Sequence, residues 1–370
     1  MLTDKNKHTF CPAKWQEVVF HPSRNLVFAC CKSENYDGGT LDEQRDNLLN
    51  GVKDPSCNYC WDAEEKGGRS LRHEKLENWD GTIELKLLDI FINNVCNLQC
   101  TYCSPAASSK WSTDIEKNGQ YPMYPLYNTV ADKITNEQLV EYINDYSPAN
   151  KITLIGGELL INPQTNLILN NIPAGIRIEV PSNMCYDKYD VLDKLSALTE
   201  TNDVWVKPSI DTINNNVKQY IRRGFDPELA QTNIQYILEH TNINLCFMTL
   251  ISPYTVWDLV ETQRYIQDLE ARYPNRVIWK LSYLHSPENQ SFVILTDKER
   301  AQAIEVTKAA QLESTEKNKK LVAVVLNALS CSEFNPALRQ EQQTFFKEFN
   351  RRHNVITPNE LQFIIEETPC

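Results

Sequence analysis

From about residue 82 onward, apolar positions gather in short runs rich in β-branched or aromatic residues, at 83–91, 152–155, 176–180, 204–210, 244–251 and 277–284. Each run has the length and composition of a strand. Between the runs the apolar positions space out at helical intervals. Thr135 with Gln138 has the form of a capping box, Asp226 followed by Pro227 reads as an N-cap and a first helical residue, and Tyr254 and Thr255 open an amphipathic stretch that runs to about Tyr273. Six strand runs alternating with helical ones predict parallel βα units with right-handed crossovers. Two arrangements accommodate them: an open doubly wound sheet, or a partial, crescent-shaped (β/α)6 barrel of the TIM type. Both put their chemistry at the carboxyl ends of the strands, so functional side chains are sought just after residues 91, 155, 180, 210, 251 and 284.

Beyond Pro287 the pattern changes. A second capping box, Thr296 with Glu299, opens a helix; a Lys-rich stretch follows, and a further helix is predicted from about Pro336 to Arg352. The expected organisation is a small cysteine-rich N-terminal module (1–80), an α/β unit (81–290) and a helical C-terminal extension (291–370).

At 370 residues, with 41% hydrophobic and 23% charged side chains, the chain can build a full-size core. Its net charge of -12 disfavours a nucleic-acid partner bound through phosphates. The N-terminus, Met-Leu-Thr-Asp-Lys-Asn-Lys-His, lacks the apolar stretch of a secretory signal, and no apolar run approaches the ~18 residues of a membrane span. A cytoplasmic location with no membrane partner is the expectation. Clustered thiols in a reducing compartment bind metal or do redox chemistry more often than they pair. Of the twelve cysteines, eight fall within the first 103 residues; Cys185, Cys246, Cys331 and Cys370 are scattered and read as ordinary small side chains.

The first strand run leads into Cys96-Asn-Leu-Gln-Cys100-Thr-Tyr-Cys103. A structural zinc site wants four ligands, commonly as two paired knuckles, whereas three thiolates on one loop leave a site incomplete unless something else binds. An iron-sulfur cubane held by three cysteines keeps one iron open to an outside ligand. This C-x3-C-x2-C loop, with Tyr102 just before the third cysteine, resembles the radical SAM superfamily, and the resemblance extends over residues 82 to about 285. It implies a 4Fe-4S cluster on Cys96, Cys100 and Cys103 whose open iron takes the amino and carboxylate groups of S-adenosylmethionine (SAM). It also implies reductive cleavage of SAM to a 5′-deoxyadenosyl radical that abstracts hydrogen from substrate.

Further residues carry the resemblance. Gly156-Gly157-Glu158, after the second run, is similar to the family's element that receives the SAM amine, with Leu159 where a proline is usual. Pro208-Ser209-Ile210-Asp211, after the fourth run, is similar to the segment that holds ribose and methionine; Asp211 also suits an N-cap. An arginine about a dozen residues onward contacts the SAM carboxylate in relatives, which points to Arg222, with Arg223 beside it. Asn183, in Pro-Ser-Asn after the third run, has a counterpart in the family and also suits a turn. Tyr102 joins this cofactor-binding set. His285, with Tyr283 at the end of the sixth run, is a candidate catalytic proton carrier; a loop histidine bonded to backbone is the ordinary alternative.

Upstream stand Cys11, Cys30, Cys31, and Cys57-Asn-Tyr-Cys60. Four thiolates suit either a closed zinc site or a fully ligated iron-sulfur cluster, and the spacing does not choose. The arrangement resembles the Twitch and SPASM modules of radical SAM enzymes, which implies an auxiliary cluster on Cys11, Cys57, Cys60 and one of the adjacent pair, Cys30 being preferred. The expected protein is thus a radical SAM enzyme of oxidoreductase or mutase type, served by a reducing partner such as flavodoxin or ferredoxin and acting on a peptide or small molecule. The competing class is a non-catalytic zinc- or iron-sulfur-binding adaptor.

Overall fold

The computed structural model describes residues 2–21, 26–30, 33, 39–65, 67–122, 135–145 and 149–366; Cys31, Cys370 and the side chain of Gln138 lie outside them. The N-terminal segment carries helix α1 (Ala13–Gln16), strands β1 (Glu17–His21) and β2 (Leu26–Phe28), and helices α2 (Leu41–Leu49), α3 (Asn58–Glu65) and α4 (Leu71–Glu77). The expected strands follow as β3 (Leu87–Phe91), β5 (Lys151–Ile155), β6 (Arg177–Ser182), β7 (Asp203–Pro208), β9 (Asn244–Ile251) and β10 (Val277–Tyr283). Two short strands, β4 (Gln99–Cys100) and β8 (Arg222–Arg223), form a separate pair.

The main sheet has the order β10-β9-β7-β6-β5-β3-β1-β2. From β3 to β10 each strand lies parallel to the next in sequence among those of this sheet, with no reversal of the winding direction. A doubly wound sheet would reverse at a switch point, so the singly wound, partial barrel is the architecture realised. The sheet also starts earlier than the apolar pattern indicates. Strand β1 lies parallel to β3, Glu17 opposite Leu87 and Phe20 opposite Ile90, and β2 turns back antiparallel on β1. The cysteine-rich segment is therefore joined to the barrel by a shared sheet.

Alternation along the strands separates two chemistries. Ile152, Leu154, Ile178, Val180, Val204 and Val206 are buried in the main apolar core. The opposite face carries charge: the Glu179 carboxylate accepts from Lys207 Nζ at 2.9 Å and lies 3.3 Å from Lys151 Nζ. The crossovers are filled by α5 (Ser109–Asn118) and α6 (Asn136–Asp145), α7 (Pro163–Leu169), α8 (Asp190–Leu198), α9 (Asn215–Ile221) with α10 (Pro227–His240), and α11 (Leu259–Arg272). Asp226 caps α10 as its sequence indicates, its Oδ1 accepting from the Glu228 and Leu229 amides with Pro227 at the first helical position.

The C-terminal segment forms α12 (Asp297–Glu313), opened by the expected Thr296/Glu299 capping box, then α13 (Glu316–Cys331), α14 (Pro336–His353) and α15 (Gln362–Ile365). It is part of the body of the protein. Phe345, Phe346 and Phe349 of α14 are fully buried, and the Trp111 ring of α5 lies 6.2 Å from both Phe345 and Phe349. Burying each such ring contributes about 1.5–3 kcal/mol, enough to hold α14 against the helix that follows the cysteine loop. No single described helix is long and apolar enough to cross a membrane.

Candidate active site

The cysteine loop leaves β3 beside β5 and is held by its neighbours' backbones. Gly157 N donates to Asn93 O at 2.9 Å and Glu158 N to Val95 O at 2.7 Å. A Cβ on Gly156 would sit 2.5 Å from Asn93 O, and one on Gly157 2.1 Å from Val95 O. The two glycines thus let the loop after β5 close on the cysteine loop itself; Gly156 also has a φ of +149°, which side chains rarely adopt. Farther along, the Trp111 indole donates to Cys100 O at 2.8 Å, and Ser109 Oγ accepts from Cys96 N at 3.2 Å.

Cys100 lies in β4 opposite Arg222 of β8. Burial pushes the Cys96 and Cys103 thiols up to about 12 and raises Cys100 as well; the neighbouring cysteines add to the effect at Cys96 and Cys103, and Arg222 opposes it at all three. The thiols therefore keep their protons until metal binding displaces them. Among the described residues, no three His, Cys, Asp or Glu side chains gather closely enough to hold one metal ion. Cys96, Cys100 and Cys103 nonetheless lie within electrostatic reach of one another, as a cluster in which each thiolate takes a different iron requires.

Around the thiols, the expected SAM-binding residues divide by what they already hold. Glu158 is 1% exposed and accepts three bonds: Ser182 Oγ at 2.8 Å and Leu160 N at 3.1 Å on Oε1, and Asn183 N at 2.6 Å on Oε2. Burial raises its pKa and these donors oppose the rise. Asn183 is equally committed, its amide donating to Asn97 Oδ1 at 2.7 Å and its Oδ1 accepting from Cys185 N at 2.7 Å. Asp211 caps no helix; Asn214 caps α9. Asp211 instead accepts from the Tyr102 hydroxyl, from Leu250 N at 3.1 Å and from Arg222 Nη1 at 3.4 Å.

Two groups keep capacity. Arg222 donates through Nη1 to Ser209 O, yet its buried Nε has no partner. Among the described residues, the Ser209 hydroxyl is used in no hydrogen bond, while the Ser209 amide donates to Ser182 O at 2.9 Å. Arg223 is paired with Gln99 Oε1 at 3.2 Å, on the far side of the ladder from this network. An unpaired guanidinium nitrogen and a free hydroxyl beside three thiols are the donor set a carboxylate and a diol would satisfy, so the residues present fit a SAM-liganded cluster.

His285 is exposed at the end of β10, its ring edge-on to Tyr283 with centroids 6.4 Å apart. In the N-terminal segment, Cys11 is pushed up to about 12, by burial first and then by the charges of Cys57 and Cys60, which places those three thiols in electrostatic reach of one another. Cys57 is raised by burial, with the Lys14 ammonium opposing. Lys14 is 1% exposed and donates to Ser33, Gln44 and Ser56 side-chain oxygens. Cys30 has a φ of +76°.

The sequence reading missed the β4–β8 pair and the Tyr102–Asp211–Arg222 chain. It also missed Gln290, whose Nε2 donates to Thr101 O at 2.9 Å inside the cysteine loop. No local pattern marks strands of two residues or a glutamine reaching back from beyond the last strand.

Compared with known proteins, residues 90–266 match the model of the Radical SAM superfamily, so the chain carries a radical SAM domain over that span. Among solved structures, anSMEcpe with bound AdoMet is 15% identical, the match covering 62% of this chain and 60% of that one with a TM-score of 0.40. SuiB of Streptococcus suis bound to S-adenosylmethionine is 12% identical over 73% of this chain and 71% of its own, with a TM-score of 0.38. TYW1 with a lysine-pyruvate adduct bound is 14% identical over 62% of this chain and 72% of its own, with a TM-score of 0.33. The chain thus spans 60% of the length of anSMEcpe. No curated protein matches the sequence.

Proposed function

We propose that this radical SAM protein cleaves SAM at a 4Fe-4S cluster held by Cys96, Cys100 and Cys103 and uses the resulting radical to take hydrogen from a peptide or small-molecule substrate. The observation that carries the reading is the unpaired, buried Arg222 Nε beside three half-buried thiols at the carboxyl ends of the parallel strands. When bound, the cluster and SAM together supply an electron to the sulfonium and a 5′-deoxyadenosyl radical. Arg222 pairs with the SAM carboxylate, and the Ser209 hydroxyl bonds the ribose or the amino-acid portion. Tyr102 and Asp211 fix the guanidinium in place, while Glu158 and Asn183 orient the loops after β5 and β6 as positioning residues. The charged barrel face with Glu179 and Lys207 favours a polar substrate.

Cys11, Cys57, Cys60 and Cys30 or Cys31 are proposed to hold a second, fully ligated iron-sulfur cluster that relays electrons. The buried Lys14 supports this, because its ammonium favours the thiolate form of Cys57, the form a metal takes, although it also meets the buried Asp54 carboxylate through the Ser56 hydroxyl. His285 remains a proposed proton carrier at the substrate end. The test is anaerobic reconstitution with iron and sulfide, followed by SAM, a strong reductant and measurement of 5′-deoxyadenosine. Colourless protein holding zinc and leaving SAM intact would favour an adaptor instead.

A further inference from the structure

Lys218 stands on α9 one helical turn before Arg222 and is only 6% exposed. Among the described residues its ammonium makes no hydrogen bond and no ion pair; Nζ lies 5.2 Å from the centroid of the Phe225 ring. Its Nζ is not sealed in protein but keeps accessible surface at a cavity wall, so its charge stands there without an acceptor, whereas the Lys14 ammonium has three. Lys218 borders a cavity of about 500 Å³ among α9, α10 and α11, walled by Ile210, Ile213, Phe225, Ala230 and Ile234. The lining includes Ile210 but not Ser209, Asp211 or Arg222, and the Phe225 ring lies 5.9 Å from the Arg222 guanidinium, so the cavity backs onto the Arg222 network.

We propose that this cavity binds a small organic monocarboxylate with an apolar body, its carboxylate paired with the Lys218 ammonium. The walls supply apolar contact and one unspent cation, which matches a single negative charge. The other polar groups of the lining, Asn215, Gln231 and Tyr265, are neutral, so a phosphate or dicarboxylate would bring charge that no second cation answers, and the exposed Glu228 would repel it.

The groups facing Lys218 set its charge. Burial, then the positive charge of Arg222, brings its amine down to about 8, while Asp211 and Cys185 oppose the fall; Glu228 of α10 and Tyr265 of α11 complete the titratable lining. The amine is therefore largely protonated at neutral pH, and a bound carboxylate raises its pKa further.

The test titrates the full-length protein with octanoate and with the neutral octanamide, read by calorimetry or NMR without any SAM chemistry. At about pH 7, saturable one-to-one binding of octanoate is expected, with octanamide and the Lys218→Met variant each weaker by about tenfold or more. Octanoate affinity should also fall as pH rises well above 8. Should Lys218→Met fail to fold, the acid-amide comparison and the pH series on the native chain decide, and Ile234→Trp, which fills the cavity and leaves the amine, should weaken octanoate too. No saturable binding, equal affinity for acid and amide, or wild-type affinity in Lys218→Met would overturn the proposal.

Discussion

Cys100 sits opposite Arg222 in the antiparallel β4–β8 pair, so one ladder fixes the middle cysteine of the loop against a guanidinium whose Nε is buried without a partner. Arg222 is anchored in turn by Asp211, and Asp211 by the Tyr102 hydroxyl. The cysteine loop and the loop after β7 are thereby locked into a single unit at one end of the barrel.

Breaking that unit has separable consequences. Arg222→Gln leaves the buried Asp211 without its cation and should cost about 3–5 kcal/mol of stability. Tyr102→Phe removes only a hydroxyl and should cost about 1–2 kcal/mol. Denaturant unfolding of the two variants checks the order; equal costs would mean that Arg222 and Asp211 are not coupled in the folded protein.

Gly157→Ala tests the close approach of the two loops. With a Cβ placed 2.1 Å from Val95 O, the cysteine loop must shift, and iron incorporation on reconstitution should drop several-fold while the rest of the barrel stays folded. Normal iron content in this variant would show that the loops tolerate separation.

Glu158→Ala strands three buried donors, each costing about 1–3 kcal/mol when left unsatisfied, whereas Glu158→Gln keeps an acceptor and should lose less. A stability loss in Ala larger than in Gln marks a positioning role. Unchanged stability in both, with weakened SAM binding, would instead assign the carboxylate to direct contact with SAM.

Much of this was legible in advance, and what was not has a common physical cause. Strand β9 lies where the apolar run predicts it, and β10 ends one residue early, because each is a run long enough to show its own composition. Strand β3 begins at Leu87 rather than residue 83, since its partners Glu17 and Lys151 both begin there; upstream, Lys86 N donates to Gln16 O and Lys86 O accepts from Lys151 N. Strand β1 was hidden because a run as short as Val18, Val19 and Phe20 gains its identity only from β3, far along the chain. The thiols, Ser209 and Arg222 were visible as residue types at strand ends. Which of their neighbours were already committed to internal bonds, as Glu158 and Asn183 are, depends on contacts that no spacing encodes.

The α14 buttress makes its own pH prediction. Burial first, then the charge of Arg223, holds His353 down at about 4 against an ordinary value of 6.5. The unfolded chain takes this proton as pH falls below 6.5 and the folded one does not until about 4, so stability present above 6.5 is lost progressively across that window. The loss should be roughly 1–3 kcal/mol, allowing for partial solvent screening. His353→Gln should flatten the profile between about pH 7 and pH 5, measured by denaturant midpoints; an unchanged slope would assign the dependence to other groups.

The central claim is that Cys96, Cys100 and Cys103 hold the cluster at which SAM is cleaved. The most direct measurement compares the reconstituted native protein with a variant in which all three are alanine, counting irons and 5′-deoxyadenosine formed from SAM and a strong reductant. The account predicts a loss of about four irons per chain and no 5′-deoxyadenosine in the variant. Substantial SAM cleavage persisting without these three thiols would contradict it.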